Sequence, residues 1–374
     1  MSLEARLRER IQREGPISFY EWMKTALYDE RQGYYCADRV RQGRGGDYRT
    51  APETSPLFAA TFTNYFAKLF EELGSPDEFT IIEIGAGGGE FAQGVLATLQ
   101  SEHPEVFVAT NYLIDEISEA SGARCAARLD EFSGRVSVRS PTVREGQFER
   151  VALPDGRASD TITGIIFSNE LIDAFPVNRV VMSSDGLRQL YVGWRDERFV
   201  WVEADLEQPV ANYCKRIALD LREGQIAEIN LDAEAFIARA AASLQRGYVV
   251  TVDYGAERGE LLNALERPQG SLRAFHSHQF ADDVLANAGK QDLTTTIDWT
   301  QITEAGERFG LPAHRFERLD RFLIAEGLLD RLAQIAETAA DTSRALQLAN
   351  SARELIMPDA MAASFQVLVQ KKSA

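Results

Sequence analysis

Cysteine is scarce in this chain of 374 residues, which has only Cys36, Cys125 and Cys214, none of them at C-x-x-C spacing. Isolated cysteines disfavour a disulfide framework or a zinc site and indicate free, structural thiols in a reducing compartment. Histidine is scarce as well, with four residues. His276 and His278 point the same way if they lie in a strand, but no third ligand stands at a suitable spacing, so we expect no metal.

Basic residues are outnumbered: the chain has 40 Lys and Arg against 57 Asp and Glu, a net charge of −17. Because contacts to phosphates need a basic surface, this balance argues against nucleic acid as the main partner. Long apolar runs are missing too, so we expect no membrane insertion. The N-terminal segment places Leu3, Leu7 and Ile11 on one helical stripe among charges and lacks the apolar core of a signal peptide, which predicts a cytoplasmic protein.

Hydrophobic residues make up 45% of the chain, and its length suits one large α/β domain with insertions or two domains. The segment that says most about function is Phe79–Leu96, FTIIEIGAGGGEFAQGVL. Its first part, Phe79–Ile84, is an apolar, β-branched run typical of a buried parallel strand, and a glycine cluster and a helical pattern follow it. Glycines accept positive φ angles and carry no Cβ, so a nucleotide or nucleoside can lie against the backbone where the helix begins.

Two acidic residues refine the nature of this ligand. The dinucleotide-binding motif needs a glycine where this chain has Glu90, and a carboxylate facing a pyrophosphate disfavours such a ligand. Glu116 directly follows the next predicted strand, Asn111–Asp115, where it can accept hydrogen bonds from both hydroxyls of a ribose. The pattern therefore favours a ligand without a diphosphate. The alternative is a glycine turn that serves packing alone.

Polar side chains follow two further predicted strands. Thr163–Ser168 runs into Asn169, Glu170 and Asp173, and Tyr248–Asp253 itself ends in a carboxylate. Ligands of open α/β sheets bind beyond the carboxyl ends of the strands, so chemistry is expected at these residues. The alternative for Asn169, Glu170 and Asp173 is that they cap or begin a helix.

Less regular segments interrupt this strand and helix pattern. A loop over residues 33–56 is rich in glycine and arginine, and it can close over the ligand with Asp47 and Thr50 in reach. Residues 179–204 alternate apolar and polar side chains, which predicts an antiparallel meander inserted in the helical layer, either facing the substrate or forming a homodimer. Residues 270–299 form an irregular insertion that contains two of the four histidines.

Short motifs spread over most of the chain carry a resemblance to a known family. They are Gly15-Pro16-Ile17, Gly33-Tyr34-Tyr35, Gly46-Asp47-Tyr48, Thr50-Ala51-Pro52-Glu53, Glu83-x-Gly85-x-Gly87-x-Gly89, Glu116, Asn169-Glu170, Asp173-Ala174, Pro176, Asp253-Tyr254-Gly255, Gly270-Ser271-Leu272-Arg273 and Asp292-Leu293-Thr294. In these motifs the chain resembles the MidA-like class I methyltransferases that use S-adenosylmethionine (SAM). That family includes the mitochondrial arginine methyltransferase that assists assembly of respiratory complex I.

The resemblance implies an α/β fold, a class I methyltransferase (Rossmann-like) sheet with a last antiparallel strand. Residues 1–75 would form an N-terminal helical and loop region, and residues 76–374 the methyltransferase domain, with substrate-facing insertions at about 177–230 and 255–298. It also implies SAM as the cofactor, with the methionine ammonium near Glu83. The expected cofactor-binding residues are Asp47, Thr50, Glu83, Gly85, Gly87, Gly89 and Glu116.

The implied reaction moves the sulfonium methyl group to a nucleophile, for which an enzyme mainly supplies positioning and electrostatic complementarity. If the acceptor is an arginine guanidinium, Glu170 and Asp173 can hold it in a fork of hydrogen bonds, and His278 can accept a proton or contact the substrate. The expected catalytic residues are Asn169, Glu170, Asp173, Asp253 and His278. We therefore expect a protein arginine methyltransferase whose partner is a protein substrate, for example a respiratory complex subunit.

Two alternatives stay open. One is a methyltransferase for a small molecule. The other is an assembly or interaction factor for a respiratory complex that binds SAM structurally, with the meander as its partner surface. Carboxylates at three predicted strand ends argue against this last alternative, because a scaffold has no need of them.

Overall fold

The computed structural model describes residues 1–37, 55–139, 161–263, 265–276, 279–338, 342–357 and 364–373. The chain divides into two compact units that interleave along the sequence. The first unit comprises Met1–Val40, Ile172–Phe236 and Ala256–Ile302, and the second comprises Arg41–Leu171, Ile237–Gly255 and Thr303–Ala374. The insertions predicted at 177–230 and 255–298 thus fall almost entirely in the first unit, whereas the boundary predicted at residue 75 coincides with no unit limit.

Helices and strands alternate along most of the chain. In sequence order they are α1 (Leu3–Glu14), β1 (Ile17–Ser18), α2 (Phe19–Tyr28), α3 (Pro56–Glu72), β2 (Phe79–Ile84), α4 (Glu90–Glu102), α5 (Pro104–Ala109), β3 (Thr110–Asp115), α6 (Glu119–Arg128), a 3-10 turn (Asp130–Phe132), β4 (Val136–Arg139), β5 (Ile162–Asn169), β6 (Asn178–Ser183), β7 (Gly186–Arg195), β8 (Arg198–Ala204), α7 (Gln208–Arg216), β9 (Ile226–Ile229), α8 (Leu231–Ser243), β10 (Leu244–Ala256), α9 (Arg258–Leu261), β11 (Arg273–His276), β12 (Gln279–Phe280), β13 (Asp292–Thr294), β14 (Ile297–Asp298), α10 (Trp299–Arg308), β15 (Ala313–Arg318), α11 (Leu319–Ala325), α12 (Leu328–Thr338), α13 (Thr342–Ile356) and β16 (Phe365–Lys372). Within the described ranges, no helix combines the length and the apolar character needed to cross a membrane.

The second unit is built on a sheet of order β15-β16-β10-β5-β2-β3-β4. Pairs from β10 to β4 are parallel, whereas β16 runs antiparallel to both β10 and β15. The carboxyl ends of β2, β5 and β10 lie at one level, because Ser168 pairs with both Ile84 and Thr251. The predicted α/β fold with a last antiparallel strand is therefore confirmed.

Aromatic rings fill one side of this sheet. Phe62 and Phe66 of α3 pack against Phe91 of α4 and Phe167 of β5, and the Phe91 and Phe167 rings stack with centroids 4.2 Å apart. All four side chains are at most 2% exposed, so burial of each contributes roughly 1.5–3 kcal/mol. This packing fixes α4, and with it the loop that precedes α4, against the sheet.

Local signals mark where these helices begin. Ser55 accepts a hydrogen bond from the first turn of α3, and Pro56 occupies the first helical position, where a missing N–H is harmless. Ser118 caps α6 in the same way. Helix α4 differs, because its N-cap is Gly89, which makes no side-chain hydrogen bond to the helix. Its first N–H groups therefore lack a capping side chain.

In the first unit, antiparallel strands pair in the order β1-β7-β6-β9, and β8 also pairs with β7. The meander predicted over 179–204 exists as β6, β7 and β8, but it builds this separate sheet instead of inserting into a helical layer. The reason is its apolar face, where Val180 packs with Tyr213 of α7 and Ile229 of β9. The insertion predicted as irregular over 270–299 contains a small sheet of order β12-β11-β13.

Gly164 of β5 lies at a close backbone approach to β2. A Cβ at this position would lie 1.9 Å from the carbonyl oxygen of Thr80. We expect Gly164→Ala to lower the free energy of unfolding by about 3 kcal/mol, because a central strand must shift to admit the methyl group. Urea denaturation measures the effect. Gly134→Ala is the control, since a Cβ at Gly134 would meet no atom within 4 Å; similar, small losses in both variants would contradict the pairing of β2 with β5.

Candidate functional site

The glycine loop, residues Gly85 to Gly89, connects β2 to α4. Gly85, Gly87 and Gly89 have φ angles of 74°, 56° and 82°, a region that favours glycine. Packing requires glycine as well, because a Cβ at Gly89 would lie 2.6 Å from the Cys125 sulfur and one at Gly85 would lie 3.1 Å from the Leu171 side chain. The loop thus offers bare backbone at a helix start, where N–H groups and the helix dipole are available to a ligand.

Glu116, directly after β3, is tied to the glycine loop. Its Oε2 accepts a hydrogen bond from the Gly87 amide at 2.9 Å, and its Oε1 accepts one from the Ser118 amide at 2.9 Å. Glu116 is 6% exposed, and a carboxylate oxygen can accept more than one hydrogen bond. The structure thus brings Gly87 and Glu116 together, in an arrangement that fits a ligand lying on the loop with hydroxyl donors.

Glu83 lies in β2, two residues before the loop, and is 5% exposed. Its Oε2 accepts a hydrogen bond from the hydroxyl of Tyr112 at 2.7 Å, and Tyr112 is fully buried. Burial raises the pKa of Glu83 to about 8, helped by the carboxylates of Glu116 and Glu90 and opposed by the hydrogen bond from Tyr112. At neutral pH the Glu83 carboxyl is therefore mostly protonated in the cofactor-free protein.

Glu90, the first residue of α4, is not the free carboxylate that its place in the sequence suggests. It forms an ion pair with Arg128 of α6 at 2.5 Å, and Arg128 also donates to the Gly88 carbonyl at 2.8 Å. The negative charge of Glu90 is thus balanced, so its repulsion of a pyrophosphate is weaker than predicted. The same contacts anchor the loop on α6.

The carboxyl ends of β5 and β10 bring three of the expected catalytic residues together. The Glu170 amide donates to the Val252 carbonyl at 2.9 Å, and Val252 pairs with Asn169, so Asn169 and Glu170 lie beside Asp253. Asn169 Nδ2 donates to Glu170 Oε1 at 3.1 Å. Asp253 is fully buried, and its Oδ1 accepts a hydrogen bond from the following amide at 2.9 Å. The arrangement concentrates acidic groups at one end of the sheet.

Glu170 has a strained backbone. Its φ is 50°, a left-handed conformation that costs about 1–3 kcal/mol in a residue other than glycine and is common at functional sites. Residues 170–177 form bends and turns instead of a helix, so the alternative that the acids here cap a helix is wrong. The next residue, Leu171, reaches to within 3.1 Å of the space that a Cβ at Gly85 would occupy. Glu170, which follows β5 and precedes Leu171, therefore lies next to the glycine loop.

Asp173 belongs to the first unit, where its backbone carbonyl accepts a hydrogen bond from the Thr295 amide at 2.9 Å and its side chain is buried. Its joint action with Asn169 and Glu170 stays a prediction. Asp47, Thr50 and His278 lie outside the described residues. In the part of the chain that the structure describes, no three metal-ligating side chains converge on one point.

The strand order, the glycine loop after β2 and the acid after β3 define a methyltransferase of class I, with a Rossmann-like sheet. Residues 61–317 match the family model described as "Putative S-adenosyl-L-methionine-dependent methyltransferase", and the chain belongs to this family. The protein is therefore a methyltransferase, and its cofactor is SAM.

Solved structures and curated relatives agree with this family. The chain is similar to a COG1565 superfamily member from Burkholderia thailandensis bound to S-adenosyl-homocysteine, with 30% identity, a TM-score of 0.84, and coverage of 99% of this chain and 92% of that chain. It is 26% identical to the mitochondrial protein arginine methyltransferase NDUFAF7 homolog of Drosophila melanogaster, over 83% of this chain and 71% of the relative. The human protein of that name is 24% identical over 78% of this chain and 66% of its own length.

The cytoplasmic location expected from the sequence is wrong by this comparison. The curated relatives from Drosophila melanogaster, Xenopus tropicalis and Homo sapiens are named as mitochondrial proteins. The prediction used free cysteines and the lack of an apolar leader. Free cysteines indicate a reducing compartment without identifying it, so they cannot separate one such compartment from another.

The raised pKa of Glu83 makes the stability of the cofactor-free protein depend on pH. A glutamate titrates at about 4.3 in an unfolded chain and at about 8 in this position, so the folded state holds an extra proton and stability falls as pH rises through this window. We expect Glu83→Gln to remove this part of the fall in stability, a relative change of roughly 4 kcal/mol between about pH 5 and pH 8.5. Urea unfolding at both pH values measures it.

The matched control for that measurement is Glu78→Gln, which removes a solvent-exposed acid from the same unit. Its stability should fall in parallel with that of the wild type. If the free energy of unfolding of Glu83→Gln falls with pH as steeply as that of the wild type, Glu83 is not the group that holds the extra proton in the folded state.

Proposed function

We propose that this methyltransferase acts on arginine side chains of a protein substrate. The observation that carries the proposal is the group of Asn169, Glu170 and Asp253 at adjoining strand ends, next to the glycine loop. A guanidinium is charged at any physiological pH, and carboxylates hold it through forked, charge-assisted hydrogen bonds. The relatives named as protein arginine methyltransferases support the same acceptor.

In this proposal SAM lies on the glycine loop. The backbone of Gly85 to Gly89 faces its amino acid part, and Glu116 accepts hydrogen bonds from its ribose hydroxyls. When bound, SAM supplies a methyl group on a positively charged sulfur. Asp47 and Thr50 are proposed as further contacts from the preceding loop.

Glu170 and Asp253 have two tasks in the proposed reaction. They orient one guanidinium nitrogen, and they accept the proton that this nitrogen must lose as it gains a methyl group. The burial of Asp253 strengthens its interaction with a cation, because water does not screen it. Asn169 holds Glu170 through their hydrogen bond of 3.1 Å, and Asp173 is proposed as a second arm of the fork.

The acceptor is tested with methyl-labelled SAM and a cell lysate, using heat-denatured enzyme as the control. We expect the label in a protein fraction, and hydrolysis of that protein is expected to release methylated arginine. Label in a small molecule would instead support a small-molecule methyltransferase. Binding of SAM without any transfer would support an assembly factor that uses SAM structurally.

Variants of the acids separate catalysis from cofactor binding. Glu170→Gln and Asp173→Asn keep the shape of each side chain but remove the charge that orients a cation. Single-turnover transfer to the arginine substrate is expected to fall by a factor of about 100 or more, while the dissociation constant of SAM changes by less than about threefold. Exposed Glu78→Gln serves as the control and should alter neither value.

Two outcomes would contradict this assignment of the acids. Wild-type turnover in both variants would exclude Glu170 and Asp173 from catalysis. If the variants lose both SAM binding and turnover, Glu170 and Asp173 belong to the cofactor site instead.

A further inference from the structure

Two buried hydroxyl groups lie side by side near the carboxyl end of the sheet in the second unit. Ser168 of β5 pairs in register with Thr251 of β10, and each residue is 1% exposed. Residues in register on neighbouring parallel strands point to the same face of the sheet, and the strands are about 4.8 Å apart. Neither Ser168 Oγ nor Thr251 Oγ1 has a hydrogen-bond partner in the described part of the chain.

Other buried hydroxyls of the second unit do have a partner. Thr63 Oγ1 donates to the Ala59 carbonyl at 2.8 Å, and Thr110 Oγ1 donates to the Val106 carbonyl at 2.7 Å. Both acceptors lie four residues earlier in a helix. The strands β5 and β10 each have a neighbour on both sides, so their carbonyls are used by the sheet. Buried polar groups are nearly always hydrogen-bonded to protein or to ordered water, so the two strand hydroxyls require another partner.

The two hydroxyls lie between an apolar level and an acidic level of the sheet. Two residues before Ser168, Ile166 pairs with Ile82 and Val249, and all three are at most 3% exposed. Two residues after Thr251 is Asp253, which is fully buried. Side chains two residues apart on a strand share a face and are about 6.6 Å apart along it. The hydroxyls therefore lie directly beneath the acid on that face.

We propose that Ser168 and Thr251 together bind one internal water molecule, and that this water holds the carboxylate of Asp253 in the orientation needed for methyl transfer. The inference rests on the proposed function, in which Asp253 orients the acceptor. Serine has the smallest side chain in its row, next to Ile84 and Thr251, so the water lies over Ser168.

The hydrogen bonds of this arrangement balance. Each hydroxyl donates to one lone pair of the water oxygen, and one water proton is donated to Asp253. These three hydrogen bonds are about the number that a buried water makes. Two O–H···O hydrogen bonds in series span about 5.6 Å, a distance that suits the separation of neighbouring side chains on one face.

The proposed water affects the transfer step and leaves cofactor affinity unchanged. A carboxylate in a site with little water needs hydrogen bonds to stay ionised. A water fixed by two hydroxyls is an oriented donor, so the carboxylate does not have to reorient when the acceptor arrives. SAM lies on the glycine loop in the proposed function, away from this water. Ser168 and Thr251 are therefore positioning residues that act through Asp253.

Removal of each hydroxyl tests the inference. Thr251→Val keeps the shape of threonine, and Ser168→Ala removes only the Oγ atom. Single-turnover transfer to the acceptor found in the lysate experiment should fall about tenfold in each variant, while the dissociation constant of SAM changes by less than about threefold. Thr251→Ser retains the hydroxyl, so its transfer rate should stay within about threefold of the wild type. Thr110→Val is the control, because it removes a buried hydroxyl at the amino end of the same sheet.

Urea denaturation adds a measurement that needs no acceptor. If the hydroxyls hold a water, Thr251→Val breaks that site and the denaturation midpoint should fall. If the Thr251 hydroxyl is simply unsatisfied, an apolar group of the same shape should raise the midpoint. A high-resolution crystal structure of the wild type should show a water within hydrogen-bond distance of both hydroxyls. This structure decides the question if the variants do not fold.

Four results would each overturn the inference: a raised midpoint in Thr251→Val, wild-type transfer in both Thr251→Val and Ser168→Ala, an equal loss of transfer in Thr251→Val and Thr251→Ser, or a wild-type crystal structure in which no water contacts both hydroxyls. Loss of SAM binding along with transfer would also overturn it, because the hydroxyls would then support the cofactor site. Failure of the proposed function is seen separately, as label in a small molecule, since the midpoint and the water are measured without an acceptor.

Discussion

The hydrogen bond from the Gly87 amide to the carboxylate of Glu116 joins the loop after β2 to the end of β3. A hydrogen bond to a charged group contributes about 1.5–3 kcal/mol, and in this loop it restrains a segment that has almost no side chains to pack. Arg128 holds the same loop from the other side through the Gly88 carbonyl. The loop is therefore ordered before a ligand arrives, so that binding does not have to fix its backbone. The ordered loop also lies beside Leu171, the residue that follows the proposed catalytic Glu170.

The sequence was sufficient to predict the sheet and the loop, because their signals are local. Strands buried on both faces are mainly apolar runs, as in Phe79–Ile84. Positions with positive φ angles are usually occupied by glycine, which the sequence shows directly. The hydrogen bond from Tyr112 to Glu83 has no such local signal, because tyrosine is common in strands whatever its hydroxyl contacts. Its hydroxyl meets Glu83 through the parallel register of β2 and β3, which no local pattern encodes. The pairing of Glu90 with Arg128 likewise depends on how α6 packs, and it weakens the repulsion expected between Glu90 and a pyrophosphate.

The interleaving of the two units could not be predicted for a similar reason. The strands over 179–204 were recognised by their alternation, but β1, the neighbour of β7, comes from the first part of the chain. Alternation identifies which face of a strand is buried and says nothing about which strand lies beside it. The acids at the end of β5 show the opposite case. Their position after a strand was enough to single them out, and the left-handed backbone of Glu170 is a cost that only the structure reveals.

The position of β16 has a consequence for how this protein is made. Residues 365–372 supply a strand that lies between β10 and β15, so the ribosome completes β10 long before its antiparallel partner exists. Until then one edge of β10 has unpaired N–H and C=O groups, and such an edge can pair with any other extended chain. During synthesis the edge of β10 is therefore open to pairing with other chains, and this exposure ends when β16 takes its place between β10 and β15.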